Sequence, residues 1–452
     1  YNLYIEILMY LKNFLRGFAH AAPGGTIMAD GGTGGPGKIK KAAVALVLFI
    51  FIFAAAFGVY RVAGMILENI LPGGLAASSS SGKSEAPAES KTKTPDKPSS
   101  AGSVSSAAEK STAGCEEAAE KKLAGMSLGE KVGQIFIFEC PSSGAVGSVK
   151  SYDPGGYCFS ADDFKDKSAD EVKKTLASYQ NAAKTKMFLC CDEEGGTVVR
   201  VSCFPALSGE KFKSPQEVYA KGGMQAVTND TVKKAVLLKS LGLNVNLAPV
   251  CDVSTDPSDF IYARSFGKDA QSTAAFVTAS VQAYKSKNMS CVLKHFPGYG
   301  GSGDTHKGTV YDSRSMETFE KSDLLPFIAG INEGAPCVMV SHNIVKSMDE
   351  KSPASLSTAV HNVLREKLAF KGVIMTDDLS MGAVTKYEKG KNACVEAFNA
   401  GNDILLTGGS PAESFNAVYK AVKNGSISEE RLDESVRRIL LWKYEAGIIT
   451  DG

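Results

Sequence analysis

The residues of this sequence best suited to chemistry stand where short apolar runs end. Such runs deliver Asp192 with Glu193 and Glu194, then Asp252, then Lys294 with His295, then His342 with Asn343, then Asp377 with Asp378. A strand-end aspartate by itself is equally well a helix cap. Five successive exits carrying charged or hydrogen-bonding groups instead describe the rim of a polar pocket, suited to a hydroxyl-rich or charged small molecule. The richest stretch is KHFPGYGGSGDTH at 294–306. Between Phe296 and Asp304 it consists mostly of small and turn-forming residues, a loop hanging from a strand end. At its tip Asp304 and His306 stand two apart, close enough for the carboxylate to orient the imidazole and stabilise its charge. Such a pair is a general acid–base whose proton moves near neutral pH. The same spacing also describes a loop histidine with a casual carboxylate neighbour. His342 has two readings as well, pocket lining or a structural hydrogen bond.

The elements that must position these groups alternate. Apolar runs at 132–140, 187–191, 244–252, 289–296, 336–342, 372–377 and 403–407 read as buried parallel strands. Between them, Ser168 with Glu171, Ser214 with Glu217 and Ser410 with Glu413 have the spacing of capping boxes, the last two followed by Pro at the first helical position. Ser428 opens a final helix running to about Ala446. Strands alternating with helices suggest a doubly wound sheet or a (β/α)8 barrel of the TIM type. The first strand is not followed by a glycine-rich phosphate loop, which counts against a dinucleotide fold. The expectation is therefore an α/β fold with a (β/α)8 barrel, one of whose strands is disguised. In both architectures the carboxyl ends of the strands form the site.

Composition narrows the partners. Fifty Lys and Arg against 49 Asp and Glu leave a net charge of +1, so no global basic field invites nucleic acid. The ten cysteines form no CxxC pair, and most sit in apolar runs as small hydrophobes. No His-x-His or HExxH spacing occurs, so neither a metal nor another cofactor is expected. Ahead of the barrel, residues 42–60 contain neither a charge nor a strong hydrogen-bonding side chain, long enough to cross a hydrocarbon core. Lys38, Lys40 and Lys41 precede the run and Arg61 follows it, which orients the N-terminus inside and the remainder outside. The expected organisation is a cytoplasmic segment at 1–41, a transmembrane signal-anchor at 42–67, a disordered Ser-, Lys- and Pro-rich linker at 68–114 and a catalytic domain at 115–452. A cleaved signal peptide, with the alanines at 54–56 as its site, is the rival to the anchor. Residues 1–27 are expected not to be native, because Met28 stands as a natural start. The implied location is the cell membrane, with the catalytic domain extracytoplasmic and monomeric.

KHFPG at 294–298 followed by DTH at 304–306 resembles the KHFPGHG…DSH signature of glycoside hydrolase family 3, and more narrowly its single-domain β-N-acetylglucosaminidases. EKVGQ at 130–134, DEEGG at 192–196, ARSFG at 263–267, PASLS at 353–357 and GVIMTDDLSM at 372–381 agree in order and spacing. The resemblance implies Asp377 as nucleophile, His306 as acid–base and Asp304 as its orienting partner. It also implies sugar binding by Asp192, Arg200, Arg264, Lys294 and His295. The implied activity is retaining exo-hydrolysis of terminal β-linked N-acetylglucosamine from peptidoglycan fragments by double displacement. The alternatives are a β-glucosidase or β-xylosidase, a β-N-acetylglucosaminide phosphorylase, and a tethered glycan-binding module without turnover. Departures from the family pattern are Tyr299 where His is common, Thr305 for Ser, Thr197 for Arg, and Glu193 for Gln, the last expected to add a charge near the pocket.

Overall fold

A computed structural model describes residues 103–450, apart from 386 and 388–391. The candidate membrane span and most of the linker lie outside the described residues. Among the described residues no helix is long and apolar enough to cross a membrane.

Eight strands, all parallel, form the centre: β1 (Phe136–Glu139), β2 (Gly156–Phe159), β3 (Phe188–Cys191), β4 (Val245–Asn246), β5 (Ser290–Phe296), β6 (Cys337–Val340), β7 (Val373–Thr376) and β8 (Leu405–Thr407). Each pairs with the next in sequence, and β8 returns to β1 with Phe136 opposite Leu405. Between β7 and β8 a single parallel bridge, Met375 to Ile404, closes the ring. Strands buried on both faces carry Val, Ile, Leu, Phe, Cys and Met almost without interruption, and their side chains form one continuous core with the inner faces of the helices. The helices begin where the capping chemistry puts them. Ser168 and Ser214 close reciprocal boxes with Glu171 and Glu217, ahead of helices Ala169–Ala182 and Pro215–Leu241. Ser410 caps Pro411–Lys423 through the Glu413 amide, but Glu413 does not return the bond, so this box is half made. Ser428 caps the closing helix Glu429–Glu445.

Three boundaries differ from the sequence reading. The disguised strand is β2, whose Asp-Pro-Gly-Gly approach reads as a turn. The glycines are there because backbones meet: a Cβ on Gly155 would stand 2.1 Å from the Gln134 carbonyl, and one on Gly156 2.5 Å from the Phe188 carbonyl. Second, the run at 132–140 is divided, its first residues ending helix Leu128–Gln134 and only Phe136–Glu139 joining the ladder. The run at 244–252 is likewise laddered only at Val245–Asn246, and beyond that it keeps to β5 through an isolated bridge at Val250 and single hydrogen bonds at Ala248, Pro249 and Cys251. Third, helix Ser103–Ala124 begins inside the stretch read as linker, its alanines, glutamates and lysines favouring a helix although four serines stand in its first half. Ala119 and Leu123 of that helix are buried, and Glu120 pairs with Arg437 of the closing helix.

Candidate active site

The strand exits converge on one rim. Lys294, inside β5 and 2% exposed, directs its ammonium between Asp192 beyond β3 (2.5 Å) and Glu194 (2.6 Å). Arg264 grips the same Glu194 through Nε (3.0 Å) and Nη2 (2.8 Å). Its Nη2 also lies 3.1 Å from His295 Nε2. Because that nitrogen faces a donor, the His295 proton belongs on Nδ1, which donates to Asp252 over 2.7 Å. Asp252 also accepts the amides of His295 and Tyr299, and so ties the pocket wall to the start of the 298–306 loop. Arg200 reaches Asp192 over 3.7 Å at the outer edge. Burial works to raise the Glu194 carboxyl, but Arg264 and Lys294 beside it win and hold it well below the usual range.

Asp377 continues β7 at its exit, its amide donating to Val340. Burial would raise its carboxyl, yet the His295 and His342 imidazoles, the Asp378 amide and the Lys294 ammonium together hold it below the ordinary value. Among the described residues the Asp377 side chain accepts one hydrogen bond, 2.9 Å from the Asp378 amide. Its neighbour is otherwise engaged: Asp378 takes the Ser380 and Gly408 amides and the Ser380 hydroxyl, a turn-forming role. The two readings of His342 resolve to the structural one. Nδ1 accepts from Ser355 (2.7 Å) and Nε2 donates to the Asp378 carbonyl (2.9 Å), fixing the backbone beneath Asp377. Burial lowers the basicity of this imidazole.

His306 and Asp304 meet on the loop above. Asp304 accepts the His306 amide (3.0 Å) and Nδ1 (2.8 Å), leaving Nε2 to face outward from a ring 60% exposed. Burial would raise the Asp304 carboxyl, but the His306 bonds and charge outweigh it, so it is lowered. The loop leans on the segment after β7, where the Ala383 amide donates to the Thr305 carbonyl. No hydrogen bond joins the dyad to Asp377 among the described residues.

Asp192, Arg200, Arg264, Lys294 and His295 thus form one connected network, with Asp377 beside it and the Asp304–His306 pair overhead. One expectation is corrected. Glu193 adds no charge to the pocket, since its buried carboxylate collects the amides of Arg200 and Val201 and the Ser202 hydroxyl. It shapes the loop that presents Arg200. Sequence reading had the alternation to find this: Asp192 and Glu194 are two apart and share a face, whereas Glu193 points the other way. The same alternation marks Glu194, named among the exit residues but assigned no binding role there, which bridges Lys294 and Arg264. Asp252 was visible as an exit residue, but its hold on His295 and Tyr299 depends on long-range contacts that the sequence does not display.

Residues 127–441 match the profile of the glycosyl hydrolase family 3 N terminal domain, and the chain belongs to that family. It is 29% identical over 319 residues to "Beta-hexosaminidase A" of Pseudoalteromonas piscicida, covering 64% of this chain and 53% of that relative. It is 32% identical over 242 residues to "Beta-hexosaminidase" of Xylella fastidiosa (strain M12), covering 52% of this chain and 71% of the relative. Among solved structures, a glycoside hydrolase family 3 beta-N-acetylglucosaminidase from Paenibacillus sp. str. FPU-7 superposes with a TM-score of 0.67 at 28% identity, over 72% of this chain and 64% of that one. The chain therefore spans about half of the first relative and under two thirds of the Paenibacillus protein.

Proposed function

We propose that the protein is a retaining exo-β-N-acetylglucosaminidase that removes terminal β-linked N-acetylglucosamine from peptidoglycan fragments. The observation that carries this reading is one lowered carboxylate, Asp377, beside a saturated ionic wall of Asp192, Lys294, Glu194, Arg264 and His295, with a carboxylate-oriented imidazole on the loop above. Asp377 attacks the anomeric carbon while His306, protonated and steadied at Nδ1 by Asp304, gives its Nε2 proton to the departing oxygen. The neutral His306 then takes a proton from water, which displaces Asp377 and restores both groups. Lys294, Asp192, His295, Arg264 and Arg200 hold the sugar hydroxyls. The beta-hexosaminidase names of the relatives support the N-acetyl preference. The apolar run at 42–60 with its upstream lysines supports a single-pass anchor that leaves the catalytic domain outside the cell, near wall fragments.

The test is release of p-nitrophenol by the purified full chain from the N-acetyl-β-glucosaminide and from the β-glucoside, each with and without phosphate. Selective turnover of the N-acetyl substrate independent of phosphate is expected. Preference for the glucoside would move the activity to β-glucosidase, acceleration by phosphate would make it a phosphorylase, and turnover of neither would leave a glycan-binding module.

A further inference from the structure

The stretch between Tyr299 and Thr305 is Gly300, Gly301, Ser302, Gly303 and Asp304, a chain with few conformational restraints of its own. Yet His306, two residues beyond Asp304, must present one nitrogen to a glycosidic oxygen. Two side chains flanking this stretch are buried while the loop tip is open: Tyr299 is 1% exposed and Thr305 is fully covered. Their hydroxyls meet at 2.6 Å, joining the loop's start to the residue between Asp304 and His306. Tyr299 is itself fixed to the barrel. Its amide donates to Asp252, the carboxylate that orients His295, and its ring packs edge-on against His295 at 5.2 Å. On the other side it meets Phe260 at 5.8 Å, and Phe260 in turn meets the His306 ring at 6.4 Å. Burial, and then the nearby Asp377 charge, raise the phenol so that it stays protonated throughout the working pH range.

We propose that Tyr299 and Thr305 are positioning residues for His306, their hydroxyl–hydroxyl bond setting the height and direction from which the imidazole reaches the leaving oxygen. The inference rests on His306 being the proton donor. Losing the bond widens the set of loop positions without altering Asp377 or the sugar-binding network. The defect is then confined to proton donation, which matters for a basic leaving group and hardly for an acidic one.

Values of kcat/KM, which report the glycosylation step, are to be measured for the full chain on phenyl and dinitrophenyl N-acetyl-β-glucosaminides. Tyr299→Phe and Thr305→Val should each lower the phenyl value by about 3- to 10-fold, the worth of one hydrogen bond. Both should leave the dinitrophenyl value within about twofold, and the double variant should be no worse than either single one. Thr305→Ser, which keeps the hydroxyl, should match the native protein. Equal losses on both substrates, no loss on either, or an additive double variant would overturn the inference. His306→Ala in the same series separates the causes. If it shows a large leaving-group dependence while Tyr299→Phe shows none, the positioning role alone fails. If His306→Ala shows no such dependence, the assignment of His306 fails first and the inference goes with it.

Discussion

At the amino end of the barrel, Asp403 lies just before β8 and accepts from Arg365 (2.5 Å), Arg438 (2.8 Å), Ser435 (2.6 Å) and the Ile374 amide (3.0 Å). Close by, Lys443 is fully buried, donating to Gln134 (2.7 Å) with its ammonium over the Phe188 ring. At the carboxyl end Lys294 and Arg264 are gathered just as closely around Asp192 and Glu194. Both ends bury carboxylates and neutralise them with cations of the same chain, whereas Lys443 meets an amide oxygen. They differ in what is left over. At the amino end each oxygen of the central carboxylate is engaged, so the cluster joins the closing helix to the sheet. At the carboxyl end the partners of Asp377 are few, the network beside it is open on one side, and a histidine hangs above. A charge cluster becomes a site when one member keeps bonding capacity for a ligand.

The largest effect expected from this contrast is at Asp377. Asp377→Asn should lower turnover by about 10⁴-fold or more, with a melting temperature close to that of the native protein. Asp403→Asn should do the reverse. It strands arginines around a missing charge, so a loss of about 3–5 kcal/mol in denaturant unfolding is expected, with kcat/KM of the remaining folded protein unchanged. Lys443 sharpens the picture through pH. Burial pushes its ammonium down to about 7, against an ordinary value of 10.5. In the unfolded chain the amine stays protonated up to that higher value, so between the two the folded form binds fewer protons. Native stability measured relative to Lys443→Met should therefore rise with pH from about 7 to about 10, by no more than about 1.4 kcal/mol per unit, and be flat below 7. The smallest effect belongs to Arg200, a third exposed and 3.7 Å from its partner. Arg200→Ala should raise KM by about tenfold while changing stability by less than about 0.5 kcal/mol.

Much of this was legible beforehand because strand exits in a parallel barrel are predictable from apolar runs. Lys294, His295, Asp377 and Asp192 could be placed on one rim from spacing alone. The strand β2 escaped because its glycines are dictated by neighbouring backbones, a long-range cause that looks locally like a turn. Glu193 was misassigned because the run of acids at 192–194 was read as one group, although successive residues face opposite ways. In the sequence Tyr299 and Thr305 stand six residues apart as two unrelated positions. Their contact depends on how the glycine-rich loop folds back, which no local pattern encodes. The helix from Ser103 was hidden by the serine count, although its alanines, glutamates and lysines favour a helix.

The central claim, that Asp377 is the group left free to bond with the sugar, is tested most directly by trapping. A 5-fluoro analogue of an activated N-acetylglucosaminide slows the second displacement, so a glycosyl ester accumulates and can be located by peptide mass spectrometry. The account predicts a label on Asp377, absent from Asp377→Asn. A label on Asp378, Asp192 or another carboxylate, or substrate turnover with no labelled protein at all, would contradict it.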